Sequence, residues 1–483
     1  MTQDTISGLR RLCAALRPCH ALATVLTLGL NAAVMLAQSP APVTIGAAIE
    51  AATKDYPGVT EATARAAAAT AAVDESRAAY VPRLEALWQL NRASRNNVFG
   101  LLLPQSIVPS ISGPVLGSDT FESAWGSAAG LLFSAEVFDF GRRSASVKVS
   151  RAEATASEAE VVVARLTAGV AVADAYLTAL GAQQTVLAAR ANVTRLETLH
   201  GVIKAQVDAE LKPGADQSRI DAELAAARNR LVTAEQVFSI AKLTIAEAMG
   251  RVEVDLALDP GSLLSFQPAL PVRVETPPAN HPAVIAATES AKAADLKREV
   301  TRLSFRPRLF FNGAVAARAS GANVDGTIHG TRGLWPDVPN WAAGLTVSFP
   351  FLDHSANQAR LTVDTAEAGA SRARLQRVTQ RKQIEARQAE VLLDAAARMA
   401  GQIPAQLSAA RQADAQARAR YDAGLTGILE VADAQRLLAQ AESEEALASL
   451  AVWRARLALA AATGDLAPFI TEAANPTGIR VKP

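Results

Sequence analysis

The sequence contains very little cysteine, and what there is lies near its start. Cys13 and Cys19 are the only cysteines among 483 residues. Both precede an apolar run, 21–36, which follows three arginines and has the composition of a secretory signal peptide. We predict a signal peptide over residues 1–37 and an exported chain that is stable without disulfides. A single membrane-anchor helix is the alternative interpretation of this run.

Net charge, aromatic residues and long internal apolar runs are also scarce. The formal net charge is +1, which gives no indication of nucleic-acid binding. Beyond the N-terminal run there is no window of 18 or more uncharged apolar residues, which argues against an internal transmembrane helix. Aromatic residues make up 5% of a chain that is half apolar. Its many alanines, spaced by arginine, glutamate and glutamine, favour long helices.

The motifs that carry enzyme chemistry are missing from the sequence. The five histidines do not have the spacing of metal ligands. The chain has no phosphate-binding glycine loop, no nucleophile elbow and no zinc-protease helix motif. We therefore predict that the protein is not an enzyme, and that it has no cofactor and no bound metal. A secreted enzyme would need clustered polar groups that the sequence does not offer.

What the sequence does contain is an internal duplication. Its halves align at a spacing of 225 residues near their starts (57 to 282) and of 214 residues near their ends (250 to 464). The smaller second spacing predicts an insertion in the first half, in the loop at 95–123. We predict two repeats, 44–250 and 277–464, and a C-terminal tail, 465–483. The pairs that set the spacing are Pro57 with Pro282, Pro82 with Pro307, and Gly250 with Gly464.

Each repeat contains two stretches in which apolar and polar residues alternate. Such alternation is typical of a strand with one apolar face, in a soluble sheet or in a membrane barrel. We predict strands at about 83–97, 125–138, 308–320 and 341–351. Four strands cannot close a transmembrane barrel, whereas three chains would together supply twelve. Aromatic residues lie near the strand ends, as at a membrane interface: Trp125, Phe138, Trp335, Trp341, Phe349 and Phe351.

A very long helical segment follows the second strand of each repeat. The segments cover about 142–210 and 356–423. Roughly 70 helical residues span on the order of 105 Å. Each segment breaks at a turn, near 207–216 and near 421–430, and a second helix returns from it. Each repeat is therefore predicted to end in a long helical hairpin with coiled-coil packing.

An aspartate precedes each of the two long helical segments. Asp139 and Asp353 occupy corresponding positions in the two repeats. We predict that each carboxylate caps its helix, because the first N–H groups of a helix have no partner within it.

The ordered set of features resembles the TolC-type outer-membrane efflux protein family. The resemblance covers about residues 44 to 464, and rests on the duplicated architecture and two local signatures. The first signature is Phe138-Asp139-Phe140-Gly141-Arg142 at the strand-to-helix junction. The second is Tyr421-Asp422-Ala423-Gly424-Leu425-Thr426, followed by Leu429-Glu430-Val431-Ala432-Asp433-Ala434-Gln435.

The resemblance implies a mainly helical fold with a small membrane β part. Three chains would form a homotrimer whose 12-stranded β-barrel, in outer-membrane lipid of a Gram-negative bacterium, continues as a periplasmic α-helical barrel. It implies a passive exit duct of a tripartite efflux or type I secretion system. Its partners would be a periplasmic adaptor and an inner-membrane pump, with no nucleic acid. The rival interpretation is a soluble periplasmic adaptor or structural protein built on helical hairpins.

The resemblance also implies a gate at the periplasmic end. Glu430 and Asp433 match two acidic positions at the tunnel constriction of the family, and Tyr421 matches a tyrosine that helps to hold the closed state. Three chains would bring six carboxylates together, where they would repel one another and attract cations. Thr426 stands where some members have an arginine, which departs from their salt-bridge pattern.

The hairpin turns match the positions that receive adaptor hairpins in the family. The second turn, with Gly424 and Leu425, fits the Gly-Leu pattern of these positions. In the first turn Glu210 stands where that pattern has glycine, and its mode of docking departs from the family's. The residues implied to contact an adaptor are Ala209, Glu210, Leu211, Ala423, Gly424 and Leu425.

Overall fold

The computed structural model of the protein describes most of the chain. It covers residues 42–94, 122–211, 213–252, 256–264, 266–267, 278–323, 327–350, 353–474 and 479–480. The predicted signal peptide, most of the predicted insertion and Phe351 lie outside these residues.

The described residues form four short helices, four long helices, two pairs of long strands and two short strands. A 3-10 turn, Pro278–Asn280, lies at the start of the second repeat. In chain order the other elements are α1 Ile45–Asp55, α2 Pro57–Ala78, β1 Arg83–Ser94, β2 Ser123–Phe138, α3 Arg142–Asp208, α4 Gly214–Ala248, β3 Phe266–Gln267, α5 Pro282–Leu303, β4 Arg308–Ser320, β5 Val338–Ser348, α6 His354–Asp422, α7 Ile428–Thr463, α8 Ala467–Ala474 and β6 Ile479–Arg480.

The four long strands form one antiparallel sheet in the order β1-β2-β4-β5. With 12, 16, 13 and 11 residues, each is long enough to cross a lipid bilayer. The outer strands β1 and β5 each pair on one side only within the described chain. The sheet therefore has two open edges.

The register of the sheet gathers its large apolar side chains on one face. Directly opposed residues point to the same side, so the pairs Leu131–Val315 and Val315–Trp341 place all three side chains together. The exposed apolar residues of this face are Leu84, Trp88, Leu90, Leu131, Phe311, Val315, Trp341, Leu345 and Val347. The opposite face carries most of the sheet's polar side chains, together with Leu87, Leu132 and Phe310. On that face Ser134 Oγ donates to Asn312 Oδ1 at 2.9 Å, and Asn312 Nδ2 donates to Thr346 Oγ1 at 3.3 Å.

The helices form two long hairpins that pack side by side. Helix α3 packs along α4, α6 packs along α7, and α3 also contacts α7. Glycine and proline both weaken a helix, and the two longest helices contain glycines while α6 also contains Pro404. The structure keeps α3 and α6 helical throughout, with Pro404 inside α6. Neighbouring helices supply packing that outweighs the weak local propensities.

Two of the helices contain apolar windows long enough to cross a membrane by length and composition. They are α3 and α7, and 44% and 53% of their windows are buried within the chain. The sequence predicts no internal transmembrane helix. Core helices with half-buried apolar windows pass the same length and composition test, so these windows do not change that interpretation.

The duplication reappears where a long helix meets a short one end to end. Gly250 follows α4 with φ of 70° and lies against Pro57 at the start of α2. Gly464 follows α7 with φ of 84° and lies against Pro282 at the start of α5. A Cβ on Gly464 would lie 2.6 Å from the Pro282 ring. Both positions therefore require glycine, for the left-handed turn and for the close approach.

The largest core joins the middle of α3 to the ends of α4 and α7 that lie away from the turns. Trp453, Tyr176 and Phe469 are its most bulky fully buried side chains. The Tyr176 hydroxyl donates to the carbonyls of Val43 at 2.9 Å and Asp259 at 2.5 Å. This residue therefore ties the start of the first repeat and the segment after α4 to helix α3.

Candidate functional site at the hairpin tips

The two hairpins end in the same backbone turn. In the first, Glu210 N–H donates to Val207 C=O at 2.9 Å and Leu211 N–H donates to Gln206 C=O at 2.8 Å. In the second, the N–H groups of Gly424 and Leu425 bond to the corresponding carbonyls of Tyr421 and Arg420, at 3.0 and 2.9 Å. This is the hydrogen-bond pattern of a Schellman turn, which closes the C-terminal end of a helix.

Each turn presents one leucine to its surroundings. Leu211 is 73% exposed and Leu425 is 74% exposed. Ala209, Glu210, Ala423 and Gly424 are exposed as well. The structure thus brings all six residues implied to contact an adaptor to the free ends of the hairpins. Matching exposed leucines on matching turns form two equivalent surfaces at one end of the molecule.

Behind the turns, Tyr421 is buried in a cluster that joins both hairpins. It is 4% exposed and packs among apolar residues that include Ile203 of α3, Ile220 of α4 and Val431 of α7. Its hydroxyl donates to Gln206 Oε1 at 3.5 Å. Burial, with added effects of Asp216 and Asp422, raises the pKa of the Tyr421 hydroxyl above its ordinary value.

The two acidic residues near the tip are each paired with an arginine. Glu430 forms an ion pair with Arg420, which bridges the end of α6 and the start of α7. Asp433 pairs with Arg436 at 2.5 Å, and Arg436 also lies 3.8 Å from Glu223 of α4. The resemblance implies that these carboxylates repel one another. Within each chain the arginines offset them instead.

The two aspartates that precede the long helices differ in the hydrogen bonds that their side chains accept. Asp139 is buried and accepts from the N–H groups of Gly141 at 3.0 Å and Arg143 at 2.7 Å, and from Arg143 Nε at 3.0 Å. Burial raises the pKa of Asp139, but these hydrogen bonds and the Arg143 charge outweigh burial and lower it below its ordinary value.

The prediction that both aspartates cap a helix is wrong for Asp353. It occupies the N-cap position of α6, but its side chain makes no capping hydrogen bond. Its backbone has φ of −83° and ψ of 9°. Side-chain capping normally needs an extended N-cap backbone, so the Asp353 carboxylate is not directed at the first N–H groups.

Sequence reasoning missed three residues that the tip brings together: Arg420, Arg436 and Gln206. Two of them left a local signal. Arg436 follows Asp433 by three positions, which is ion-pair spacing on a helix, and Arg420 precedes Tyr421 directly. Gln206 left no such signal, because its partner lies 215 residues away.

The described residues offer no group of three His, Cys, Asp or Glu side chains that could hold a metal ion. The site at the tips consists instead of exposed leucines, a buried tyrosine and arginine–carboxylate pairs. Such an arrangement can hold two hairpins together and present them to another protein.

Comparison with known proteins places the chain among membrane channels. The family model for outer membrane efflux protein matches residues 48–251 and 278–465, which correspond to the two repeats. The solved structure of the outer-membrane channel OprN has 21% identity and a TM-score of 0.68, with 87% of this chain and 89% of that chain covered. No curated protein matches the chain in sequence.

Two further channel structures share the fold. The CmeC outer membrane channel of Campylobacter jejuni has 14% identity and a TM-score of 0.71, covering 89% of each chain. The outer membrane protein VceC of Vibrio cholerae has 18% identity and a TM-score of 0.70, covering 87% of this chain and 96% of that one. At these identities the likeness shows a common fold.

Proposed function

The chain belongs to the outer membrane efflux protein family, and we propose that it is the passive exit duct of a tripartite efflux or type I secretion system. The family consists of channels of the Gram-negative outer membrane and not of enzymes. That membership favours a channel over the soluble periplasmic adaptor considered from sequence. The duct would carry its cargo through a lumen and would not supply energy itself.

The observation that carries this proposal is the exposed apolar face of the four-stranded sheet. Nine large apolar side chains on one face would be unstable in water, whereas a bilayer would cover them. Open sheet edges are not viable in lipid, because their N–H and C=O groups would lack partners. Closure by three copies would pair every edge in a barrel of twelve strands. The polar face would then line the lumen.

The hairpin tips support a gate at the opposite end of such a trimer. We propose that Tyr421, Glu430 and Asp433 hold the closed state together with Gln206, Arg420 and Arg436. The Tyr421–Gln206 contact joins the two hairpins, and the Arg420–Glu430 pair stiffens the second tip. Opening would require the second hairpin to move relative to the first, which breaks the Tyr421–Gln206 contact.

We propose that the exposed turns receive the hairpins of a periplasmic adaptor, which couples the duct to an inner-membrane pump. The matching leucines, Leu211 and Leu425, are the residues that an apolar docking surface would cover. An adaptor that contacts the second turn would act directly on the gate, because the backbone carbonyl of Tyr421 accepts a hydrogen bond from the N–H of Gly424.

Single-channel conductance in a planar bilayer tests the proposal. The purified protein should need detergent and should insert as a trimer with a small conductance. A Glu430→Ala, Asp433→Ala double variant should conduct more, because it removes the pairs that close the tip. Glu235→Ala is the matched control, because it removes an exposed ion pair with Arg190 that lies well above the tip. Protein that is soluble without detergent and never inserts would exclude the duct.

A further inference from the structure

The two hairpin turns differ at one position, and the difference strains the first turn. Glu210 has φ of 56°, and its counterpart Gly424 has φ of 72°. Glycine adopts this left-handed conformation readily, whereas a residue with a side chain is strained in it. In the part of the chain that the structure describes, Phe140 is the one other non-glycine residue with positive φ. A strained residue at an exposed tip points to a role for its side chain.

The charge of Glu210 is also locally unfavourable. It follows the C-terminus of α3, where the helix dipole leaves partial negative charge. The last turn of α3 contains no basic residue, whereas the last turn of α6 contains Arg420. Glu210 forms no ion pair with any residue that the structure describes. Neither the backbone conformation nor the helix dipole therefore favours a glutamate here.

The first turn as a whole is acidic. Residues 208–216 include three carboxylates, those of Asp208, Glu210 and Asp216, and one basic residue, Lys212. Asp208 and Glu210 are both exposed. Acidic side chains and the negative end of a helix both attract a cation, so a lysine or arginine of a binding protein would be stabilised at this tip.

We propose that Glu210 directs a basic residue of the adaptor hairpin to the α3–α4 tip and thereby fixes the register of docking. This inference rests on the proposed function. In a trimer, six tips with the same turn and the same exposed leucine would alternate around the end of the duct. An adaptor that contacted only these shared features would dock equally well in two registers, one tip apart. A carboxylate on every second tip makes the two registers unequal.

Binding of synthetic hairpins tests this assignment. The probes are two antiparallel helical hairpins that are identical except for arginine or glutamate at the turn. The detergent-solubilised full-length protein should bind the arginine hairpin about two- to fivefold more tightly, the effect of one exposed charge pair, and the preference should fade at high salt. Glu210→Gln keeps the side-chain size and should abolish the preference. Equal binding of the two hairpins by the unmodified protein would overturn the proposal.

Two further variants separate the charge of Glu210 from general effects. Glu210→Gly should melt at a higher temperature, because it relieves the strained turn, and should lose the preference for arginine. Asp208→Asn removes a carboxylate from the same tip and should keep the preference; its loss there would refute a specific role for Glu210. Conductance of the same preparations distinguishes the two proposals. Channels that conduct but show no preference contradict this inference alone, whereas an absence of conductance contradicts the duct.

Discussion

The hydroxyl of Tyr421 donates to the side-chain oxygen of Gln206 across 3.5 Å, which ties the end of α6 to the end of α3. Because the bond is long, Tyr421→Phe should cost at most about 1 kcal/mol and open the channel only slightly. Tyr421→Ala also leaves a cavity in the apolar cluster at the tip. This should lower the folding stability by about 3–5 kcal/mol and raise the conductance strongly. Single-channel recordings and thermal unfolding measure the two effects.

Tyr176→Phe is the control for the tyrosine variants. It removes a hydroxyl that bonds two carbonyls far from the tip, so it should lower the melting temperature and leave the conductance unchanged. A Tyr421→Ala channel that conducts like the unmodified protein would remove Tyr421 from the gate.

Arg420 and Arg436 should limit the selectivity of the tip for cations, because they offset Glu430 and Asp433. The double variant Arg420→Ala, Arg436→Ala should prefer potassium over chloride roughly two- to fivefold more than the unmodified channel. This corresponds to about 1 kcal/mol for a charge pair at 4 Å in water. Reversal potentials in asymmetric potassium chloride provide the measurement.

The predicted change in cation selectivity should depend on the salt concentration, and a second variant serves as its control. Concentrated salt screens the exposed carboxylates, so the difference should shrink near 1 M. Arg190→Ala disrupts a comparable exposed pair with Glu235 away from the tip and should leave selectivity as it was. An equal change in Arg190→Ala would mean that the tip does not determine selectivity.

Asp139 and Asp353 should differ sharply in their contribution to stability. Asp139→Ala leaves the buried Arg143 guanidinium without its carboxylate partner, which should cost about 3–5 kcal/mol. Asp353→Ala removes no capping bond and should change stability by less than about 0.5 kcal/mol. Denaturant unfolding of the two variants compares them directly, and similar losses would contradict the difference in capping.

The lowered pKa of Asp139 adds a pH dependence to this comparison. Hydrogen bonds hold the folded pKa below the unfolded value of about 3.9, so the stabilisation is complete above that pH. It is lost as the pH falls through the folded pKa. Asp139→Ala should therefore lack this loss of stability below about pH 4, which acid unfolding curves would detect.

His281 should make the junction between α7 and α5 sensitive to mild acid. Its Nδ1 accepts the N–H of Ala283 at 3.0 Å and its Nε2 contacts the carbonyl of Ala461 at 3.2 Å, which requires a neutral ring. Burial lowers the pKa of His281; Lys382 lowers it further, whereas the Ala461 carbonyl and Glu385 oppose this. The unfolded chain then binds the proton more readily, so stability should fall as the pH drops below about 6.5.

The slope of that loss is limited to about 1.4 kcal/mol per pH unit, because one proton is involved. His281→Asn keeps a side chain that can cap α5 and should remove the dependence between pH 7 and 5. Melting temperatures across this range test it, and a variant that loses stability as steeply as the unmodified protein would exclude His281.

The sequence alone determined the elements and their repetition. Alternating apolar residues predicted a strand at 308–320, and the structure has Arg308–Ser320 there, because a half-buried strand carries its period of two in its own residues. The long helices were likewise readable from alanine-rich segments between turns. The constant spacing of 214 residues is enough by itself to make Glu210 the counterpart of Gly424.

Only the tertiary structure decided which side chains meet. Gln206 and Tyr421 are brought together by the packing of two hairpins, and neither residue's neighbours in sequence indicate the contact. The ion pair of Arg420 with Glu430 depends on the path of the turn between them, and the bare acidic pair expected from sequence is offset for that reason. Asp353 fails to cap because its backbone conformation differs from that of an N-cap. Such contacts depend on three-dimensional geometry, which local periodicity does not encode.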